Sequence, residues 1–175
     1  MNMTPSLETS RLRLEPMKLS DFEDVCALWA DERFTRFVAP SPPTPEELWL
    51  RLLAHVGHWQ ALGFGNWALR LRETGAYVGA VGVFDFRRMV DPALDAPELG
   101  WGIAPGFQRQ GLGLEALAAA LEWCDRALGG GRTVCMIHPD NTPSLALAAR
   151  AGYRPYAHTA YKGGPTVLLE RRRPG

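Results

Sequence analysis

The stretch Gln108-Arg109-Gln110-Gly111-Leu112-Gly113 carries the clearest chemistry in the sequence. It sets one arginine and two glycines ahead of Leu114 to Leu128, an alanine- and leucine-rich run that reads as a long helix ending at Gly129-Gly130-Gly131. A helix start leaves about four backbone N–H groups unpaired and carries roughly half a positive charge, so a loop that opens a helix is a ready anion site. Gly111 and Gly113 keep the backbone bare for close approach, and Arg109 adds a full charge. A phosphate or pyrophosphate is the ligand this pattern explains best. The same residues also suit a softened strand-to-helix turn that holds only water.

Competing motifs narrow the choice. A P-loop places lysine after its last glycine; Gly106 and Gly111 have the right separation, but Leu112 stands in the lysine position. The dinucleotide pattern GxGxxA is matched in form by Gly111, Gly113 and Ala116, with Asp140 after the next strand as a possible ribose ligand. That pattern should turn directly off a strand, whereas Pro105 to Gln110 intervenes. There is no GxSxG, and no cysteine has a placed histidine partner. His55 and His58 are close enough on a helix to share a metal, but without a third ligand or a carboxylate motif they read as ordinary histidines, as do His138 and His158. No metal is expected. Cys26, Cys124 and Cys135 lack CxxC spacing and sit among apolar neighbours, as buried inert thiols do.

The chain around these residues is ordinary. Its 175 residues, 46% hydrophobic and 22% charged, fit a single domain spanning 1–175 with enough apolar material for a core. Lys+Arg and Asp+Glu balance at 19 each, so no overall field recruits nucleic acid or an anionic membrane, and Arg171-Arg172-Arg173 reads as a solvated tail. Met1 to Arg13 lacks the apolar centre of a signal peptide, and no stretch approaches the roughly 20 apolar residues of a membrane span, so a cytoplasmic protein is expected.

Elements that position the loop follow from periodicity. Arg11 to Glu15 alternates as a half-buried strand. Ser20 and Glu23 suggest a capping box that opens a helix carrying Phe22, Val25, Cys26 and Trp29. Thr44-Pro45-Glu46-Glu47 starts another, with Leu48, Leu52, Val56 and Trp59 as its buried stripe and Gly63 as its stop; Pro40 to Pro45 is loop. Trp67 to Arg72 and Tyr77 to Phe84 read as a hairpin. After the Asp85 to Pro97 connection, Glu98 to Ile103 is a strand whose Gly100 and Gly102 suggest a bulge or a ligand against the backbone. Thr133 to Ile137 is a buried strand, Thr142 with Pro143 opens a helix that Gly152 stops, and Tyr153 to Tyr161 with Thr166 to Arg171 closes the chain as a hairpin.

Together these segments carry a resemblance. Gln108 to Gly113 is similar to the [QR]xxGx[GA] loop of GNAT N-acetyltransferases, preceded by a glycine-bearing strand and followed by a helix. Leu7-Glu8-Thr9-Ser10-Arg11-Leu12-Arg13-Leu14, Glu115, Asn141-Thr142-Pro143-Ser144 and Ala151-Gly152-Tyr153 resemble its Rim-type branch, the ribosomal-protein N-terminal acetyltransferases and their relatives. The match covers nearly all of the chain.

The resemblance implies a mixed α+β fold: a twisted, mostly antiparallel sheet of about seven strands flanked by about four helices, with one splayed strand pair that binds coenzyme A. Acetyl-CoA would lie between Glu98–Ile103 and Thr133–Ile137, its pyrophosphate on the N–H groups of Gln108, Arg109, Gln110, Gly111, Leu112 and Gly113. Its pantetheine arm would extend the sheet along Trp101, Gly102 and Ile103. Transfer would be direct, with a backbone N–H of a bulged strand stabilising the oxyanion. Glu98 is the expected base, against a plain ion-paired glutamate. Ser144 would lie near the sulfur and serve the leaving thiolate, against a plain first-turn serine. Asn141 would contact the coenzyme or cap the turn. Ala148 stands where many members place a tyrosine acid, so no tyrosine acid is expected.

The expected partners are acetyl-CoA and an amine acceptor, either a peptide N-terminus or a small molecule, with neither nucleic acid nor membrane; monomer and homodimer both stay open. Asp85, Asp91, Asp95 and Glu98 make a cationic amine plausible, against a merely solvated acidic loop, and Trp49 or Trp59 could face the acceptor. A non-catalytic acyl-CoA-binding module and a nucleotide-binding oxidoreductase are the alternative functions.

Overall fold

In the computed structural model, which describes residues 4–39, 41–129 and 131–173, strand β1 (Leu7–Glu8) leads into β2 (Leu12–Pro16). There the expected alternation buries Leu12 and Leu14 completely. The predicted hairpin is β3 (Asn66–Leu71) with β4 (Tyr77–Phe84), followed by β5 (Glu98–Ile103), β6 (Arg132–Ile137), β7 (Arg154–Tyr161) and β8 (Gly164–Arg172). All eight join one sheet in the order β1-β2-β3-β4-β5-β6-β8-β7, and every neighbouring pair is antiparallel except β5 and β6. The strand beyond expectation is β1, too short for its alternation to register.

The helices are α1 (Phe22–Trp29), α2 (Glu32–Thr35), α3 (Pro45–Leu62), α4 (Leu112–Ala127) and α5 (Thr142–Arg150). The start of α3 is as read: the Thr44 N–H donates to Glu47 Oε2 at 2.7 Å, and the Glu47 N–H donates to Thr44 Oγ1 at 3.2 Å. Gly63 ends it at φ 75°. The start of α1 differs. Buried Asp21 accepts the Lys18 N–H at 2.9 Å in a preceding 3₁₀ turn and pairs with Arg70 at 2.7 Å, so the chain is anchored there and no Ser20 cap forms. At α5 the cap is Asn141, whose Oδ1 accepts the Ser144 N–H at 3.3 Å; Thr142 is already helical.

Trp59, Trp67 and Trp123 meet edge-on, with centroids 4.9, 6.0 and 5.2 Å apart, and anchor the core between α3, β3 and α4. Such pairs add about 1 kcal/mol each beyond burial. Strands β4 and β5 pair without a register shift from Gly79–Ile103 to Phe84–Glu98, so the expected bulge is absent there. The β5 glycines answer to packing instead: a Cβ on Gly100 would lie 2.8 Å from the Phe84 ring, and one on Gly102 would lie 2.7 Å from the Phe34 ring.

The arginine tail is also corrected. Strand β8 runs through Arg172, and the Arg171 guanidinium donates both arms to Asp125 of α4 at 3.0 and 2.8 Å. Arg173 adds a bond to the Asp125 carbonyl at 3.1 Å. Cys124 and Cys135 are buried, and burial pushes the Cys124 thiol up to about 12; Cys26 is half-buried. No described helix is long and apolar enough to cross a membrane.

Candidate active site

Strand β5 is held on one side only. Toward β4 its ladder is complete, but toward β6 the register contains the single pair Glu98–Val134, reinforced by the Val134 N–H donating to the Pro97 carbonyl at 3.0 Å. Beyond it the two strands part, and β6 continues its pairing with β8. Leu99 to Ile103 therefore present an extended backbone edge without a strand partner. Unpaired main-chain groups of this kind are what an extended, amide-bearing ligand can complete. Helix α2 and the residues just after it roof the opening: Phe34 of α2 lies over Gly102 of β5, and Phe37 stacks on His138, just past β6, at 5.7 Å.

The glycine loop leaves the end of β5. A 3₁₀ turn (Pro105–Phe107) precedes it, Arg109 and Gly111 turn it through the left-handed region at φ 62° and 80°, and α4 begins at Leu112, two residues earlier than the sequence suggested. Among the described residues, the N–H groups of Arg109, Gln110, Gly111, Leu112, Gly113 and Leu114 donate to no backbone carbonyl. The two glycines divide the labour. Gly111 supplies the left-handed turn. Gly113 lies inside the first helical turn, where an added Cβ would sit 3.3 Å from both Ile103 and Leu147, so its smallness serves packing. Gln108 ties the loop to β5 through Nε2 donating to the Ile103 carbonyl at 2.9 Å, and Gln110 Nε2 reaches the Gly106 carbonyl at 3.2 Å.

Glu115 fastens the N-terminal Thr9-Ser10-Arg11 segment to this helix start. Its Oε1 accepts from Thr9 Oγ1 at 2.6 Å, Ser10 Oγ at 3.1 Å and the Arg11 N–H at 2.9 Å, while Oε2 takes Arg11 Nε at 2.7 Å. Partial burial pushes the Glu115 carboxyl up, but the bonds from Thr9, Arg11 and Ser10 prevail and hold it at about 2. Arg11 Nη1 also donates to the Gln110 carbonyl at 2.8 Å, and its Nη2 lies 3.3 Å from where a Gly111 Cβ would be. Arg11 thus neutralises the acidic residue at the anion site and braces the loop at Gln110 and Gly111.

Glu98, Gly100 and Gly102 alternate onto one face of β5. Glu98 is buried, its Oε2 receives Arg88 Nε at 2.6 Å, and Arg88 Nη1 donates to Tyr161 Oη at 3.0 Å. Ser144 lies half-buried in the first turn of α5, just beyond the splayed end of β6. Ala148 is fully buried in the core, which leaves no room for a tyrosine there. The nearest tyrosine in sequence, Tyr153, is buried with its hydroxyl on Thr133 at 2.8 Å.

Two expectations about the acceptor side change. Trp59 is core and Trp49 packs edge-on against Phe22 at 5.1 Å, so neither lines the β5 face. Three of the four acidic residues are taken up in pairs, Asp85 with Arg87, Asp95 with Arg132 and Glu98 with Arg88; Asp91 forms no ion pair among the described residues. His55 and His58 face the Phe84 and Phe86 rings, at centroid distances of 4.7 to 6.2 Å, rather than each other across a metal. The sequence reading missed Arg88 and Tyr161, which are far apart along the chain and meet only through the sheet. It also missed Arg51, four residues before His55, a spacing that was there to be read.

A sheet parted at its one parallel pair, above a helix start with bare N–H groups, accommodates an extended ligand bearing phosphates, and transferases that use acyl-CoA need such a cleft. The dinucleotide reading of Gly111, Gly113, Ala116 and Asp140 fails, because β5 follows an antiparallel neighbour and reaches α4 only through a turn and loop. The chain belongs to the GNAT acetyltransferase family: residues 11–154 match the Acetyltransferase (GNAT) domain. It is an acetyl-CoA-dependent N-acetyltransferase. A putative GnaT-family acetyltransferase from Bordetella pertussis is 34% identical, with a TM-score of 0.82 over 95% of this chain and 99% of that one. The uncharacterized N-acetyltransferase p20 of Bacillus licheniformis is 24% identical over 81% of this chain and 78% of its own. The fold of RimL, a ribosomal L7/L12 alpha-N-protein acetyltransferase solved in complex with coenzyme A, is shared at a TM-score of 0.79 and 16% identity, over 97% of this chain and 98% of that one.

Proposed function

We propose that residues 1–175 act as one catalytic domain that holds acetyl-CoA along the open edge of β5 and moves the acetyl group directly to a primary amine of a peptide N-terminus or a small molecule. The carrying observation is the conjunction of an unpartnered β5 edge with the unpaired N–H groups of Arg109 to Leu114 at its end. The pyrophosphate takes N–H groups from Arg109 to Leu114, with Arg109 as counter-charge; of the expected set, Gln108 drops out as a main-chain donor because its N–H already donates to the Pro105 carbonyl at 3.4 Å. The pantetheine amides bond to the backbone at Trp101 and Ile103; Gly102, expected in the same role, turns its carbonyl toward Gly79 of β4 and is already part of that ladder. Coenzyme A in the RimL complex supports this assignment by shared fold.

In the transfer step the amine nitrogen bonds to the acetyl carbon, the C–S bond breaks, and the amine's proton must leave. Glu98 takes it, directly or through water: Arg88 occupies Oε2, and Oε1 is without a partner among the described residues. The ion pair fixes the carboxylate's orientation, and Tyr161 fixes the arginine. Ser144 gives the departing thiolate a hydrogen bond, while Asn141 acts as the helix cap that presents it. An unpaired backbone N–H of β5 stabilises the developing oxyanion without a bulge.

Acetyl-CoA turnover on peptides and small amines, with Glu98→Gln compared, tests this reading. The variant should bind coenzyme normally and lose about a hundredfold or more in kcat. Full activity of Glu98→Gln across pH removes the base assignment, and coenzyme binding without acetylation of any amine by the native chain removes the transferase step.

A further inference from the structure

We propose that Arg51 forms a carboxylate subsite, so that the acceptor amine carries a carboxylate near its reacting nitrogen, as in a free amino acid or a peptide with an acidic residue beside its N-terminus. This rests on the transferase reading above and names the acceptor chemistry of that same site.

Arg51, His55 and His58 stand at i, i+4 and i+7 on α3 and form one stripe. The His55 ring lies 5.5 Å from Phe84, whose own ring covers Gly100 of β5, so the stripe faces the sheet surface that carries Glu98. The Arg51 guanidinium lies 4.5 Å from the centre of the Trp29 ring. No described carboxylate forms an ion pair with it. The acid that does act on it through space, Glu47, is already committed to the α3 capping box. Its other electrostatic neighbours are Tyr161 and the cation Arg88, and loss of hydration together with Arg88 pulls its pKa below the usual arginine value.

The charge inventory of this wall is uneven. Arg88 is matched by Glu98, Lys162 rests over Tyr161 at 5.5 Å, and Arg51 is left over. Arg51 is an exposed residue, accessible to an anion from solvent; a cation beside another cation gains from such a partner, and a guanidinium offers a planar fork that fits carboxylate. The pairing of Asp85, Asp95 and Glu98 with arginines points the same way, since it leaves a polyamine or aminoglycoside only Asp91 of that cluster as an unpaired carboxylate.

A second observation concerns the two histidines. Among the described residues, His55 Nδ1 and His58 Nε2 are shut off from solvent and have no hydrogen-bond partner. His58 Nδ1 lies 2.9 Å from the Ala54 carbonyl and must donate to it, which leaves Nε2 with an unused lone pair. Burial, Arg51 and His58 hold His55 at about 3, so it too is neutral at physiological pH. Both rings pack against Phe84 and Phe86, so the stripe is a fixed wall on which the two imidazoles add no positive charge, and Arg51 is the cation it presents to an incoming anion.

The test uses the full-length enzyme with acetyl-CoA and matched acceptors: amino acids against their α-carboxamides, Ser-Glu peptides against Ser-Gln peptides, and spermidine. The carboxylate member of each pair should be favoured roughly ten- to a hundredfold in kcat/KM. Arg51→Gln should collapse that ratio to within about twofold through KM, and Arg51→Lys should restore part of it; a general folding defect would lower both members alike and leave the ratio intact. The amino-acid and peptide arms separate the two sources of the carboxylate. Equal rates for acid and amide, spermidine as the best acceptor, or an acid preference that survives Arg51→Gln would overturn the inference while leaving acetyl transfer standing. A native chain that binds acetyl-CoA and acetylates nothing overturns both.

Discussion

Replacing Glu115 with alanine should uncouple the N-terminal segment from the anion-binding loop. The side chain is 15% exposed and accepts from Thr9, Ser10 and twice from Arg11. Hydrogen bonds to a charged group contribute roughly 1.5–3 kcal/mol each in sheltered positions, and these do not add. Arg11 is itself 48% exposed, so its ion pair falls in the surface range of about 0–1 kcal/mol. Crediting the sheltered bonds from Thr9 Oγ1 and the Arg11 N–H with most of the effect gives about 2–4 kcal/mol, which for a domain of this size is a fall in Tm of about 5–12 °C. Arg11 also holds the Gln110 carbonyl, so calorimetry should show coenzyme affinity falling at least several-fold. The native carboxyl sits at about 2, below its unfolded value near 4.5. Its contribution is therefore complete above about pH 4.5 and is lost as pH falls toward 2, so melts of native and variant proteins should converge over that window. A Tm change under about 1 °C at pH 7, or a difference that persists undiminished at pH 2.5, would refute the brace.

Gly111→Ala places an L-residue at φ 80° with its Cβ 3.3 Å from Arg11, at a cost of about 1–2 kcal/mol; isothermal titration should find coenzyme binding weakened about tenfold, and unaltered affinity would exclude a demanding turn. His55 is held at about 3 against an unfolded value near 6.5, so its neutral form contributes fully above pH 6.5 and progressively less as pH falls toward 3. Denaturant titrations should show native stability dropping by at most about 3 kcal/mol between pH 6.5 and 4 from this group, a slope that His55→Gln flattens and that equal slopes would rule out. Tyr161→Phe frees Arg88 and should lower kcat several-fold while changing stability by less than about 1 kcal/mol; stopped assays and melts together check it.

Legibility followed locality. The start of α3, the β3–β4 hairpin and the glycine loop rest on residues within a few positions of one another, and each formed as the spacing implied. Where a distant partner decides, local signals misled: Arg70 claims Asp21 and removes the Ser20 cap, and Asp125 claims the terminal arginines. Gly100 and Gly102 looked like a bulge because the rings that occupy their space, Phe84 and Phe34, lie on other elements. The parting of β5 from β6 leaves no mark in either strand's composition; only the family resemblance anticipated it. Arg88, Tyr161 and the stripe on α3 reach Glu98's surroundings through folding alone.

A crystal structure of the chain with coenzyme A tests the central claim most directly. The pyrophosphate oxygens should lie roughly 2.7–3.2 Å from backbone nitrogens between Arg109 and Leu114, with the pantetheine arm alongside Trp101 to Ile103. Coenzyme density in another cavity, with those nitrogens facing only water, would contradict the account.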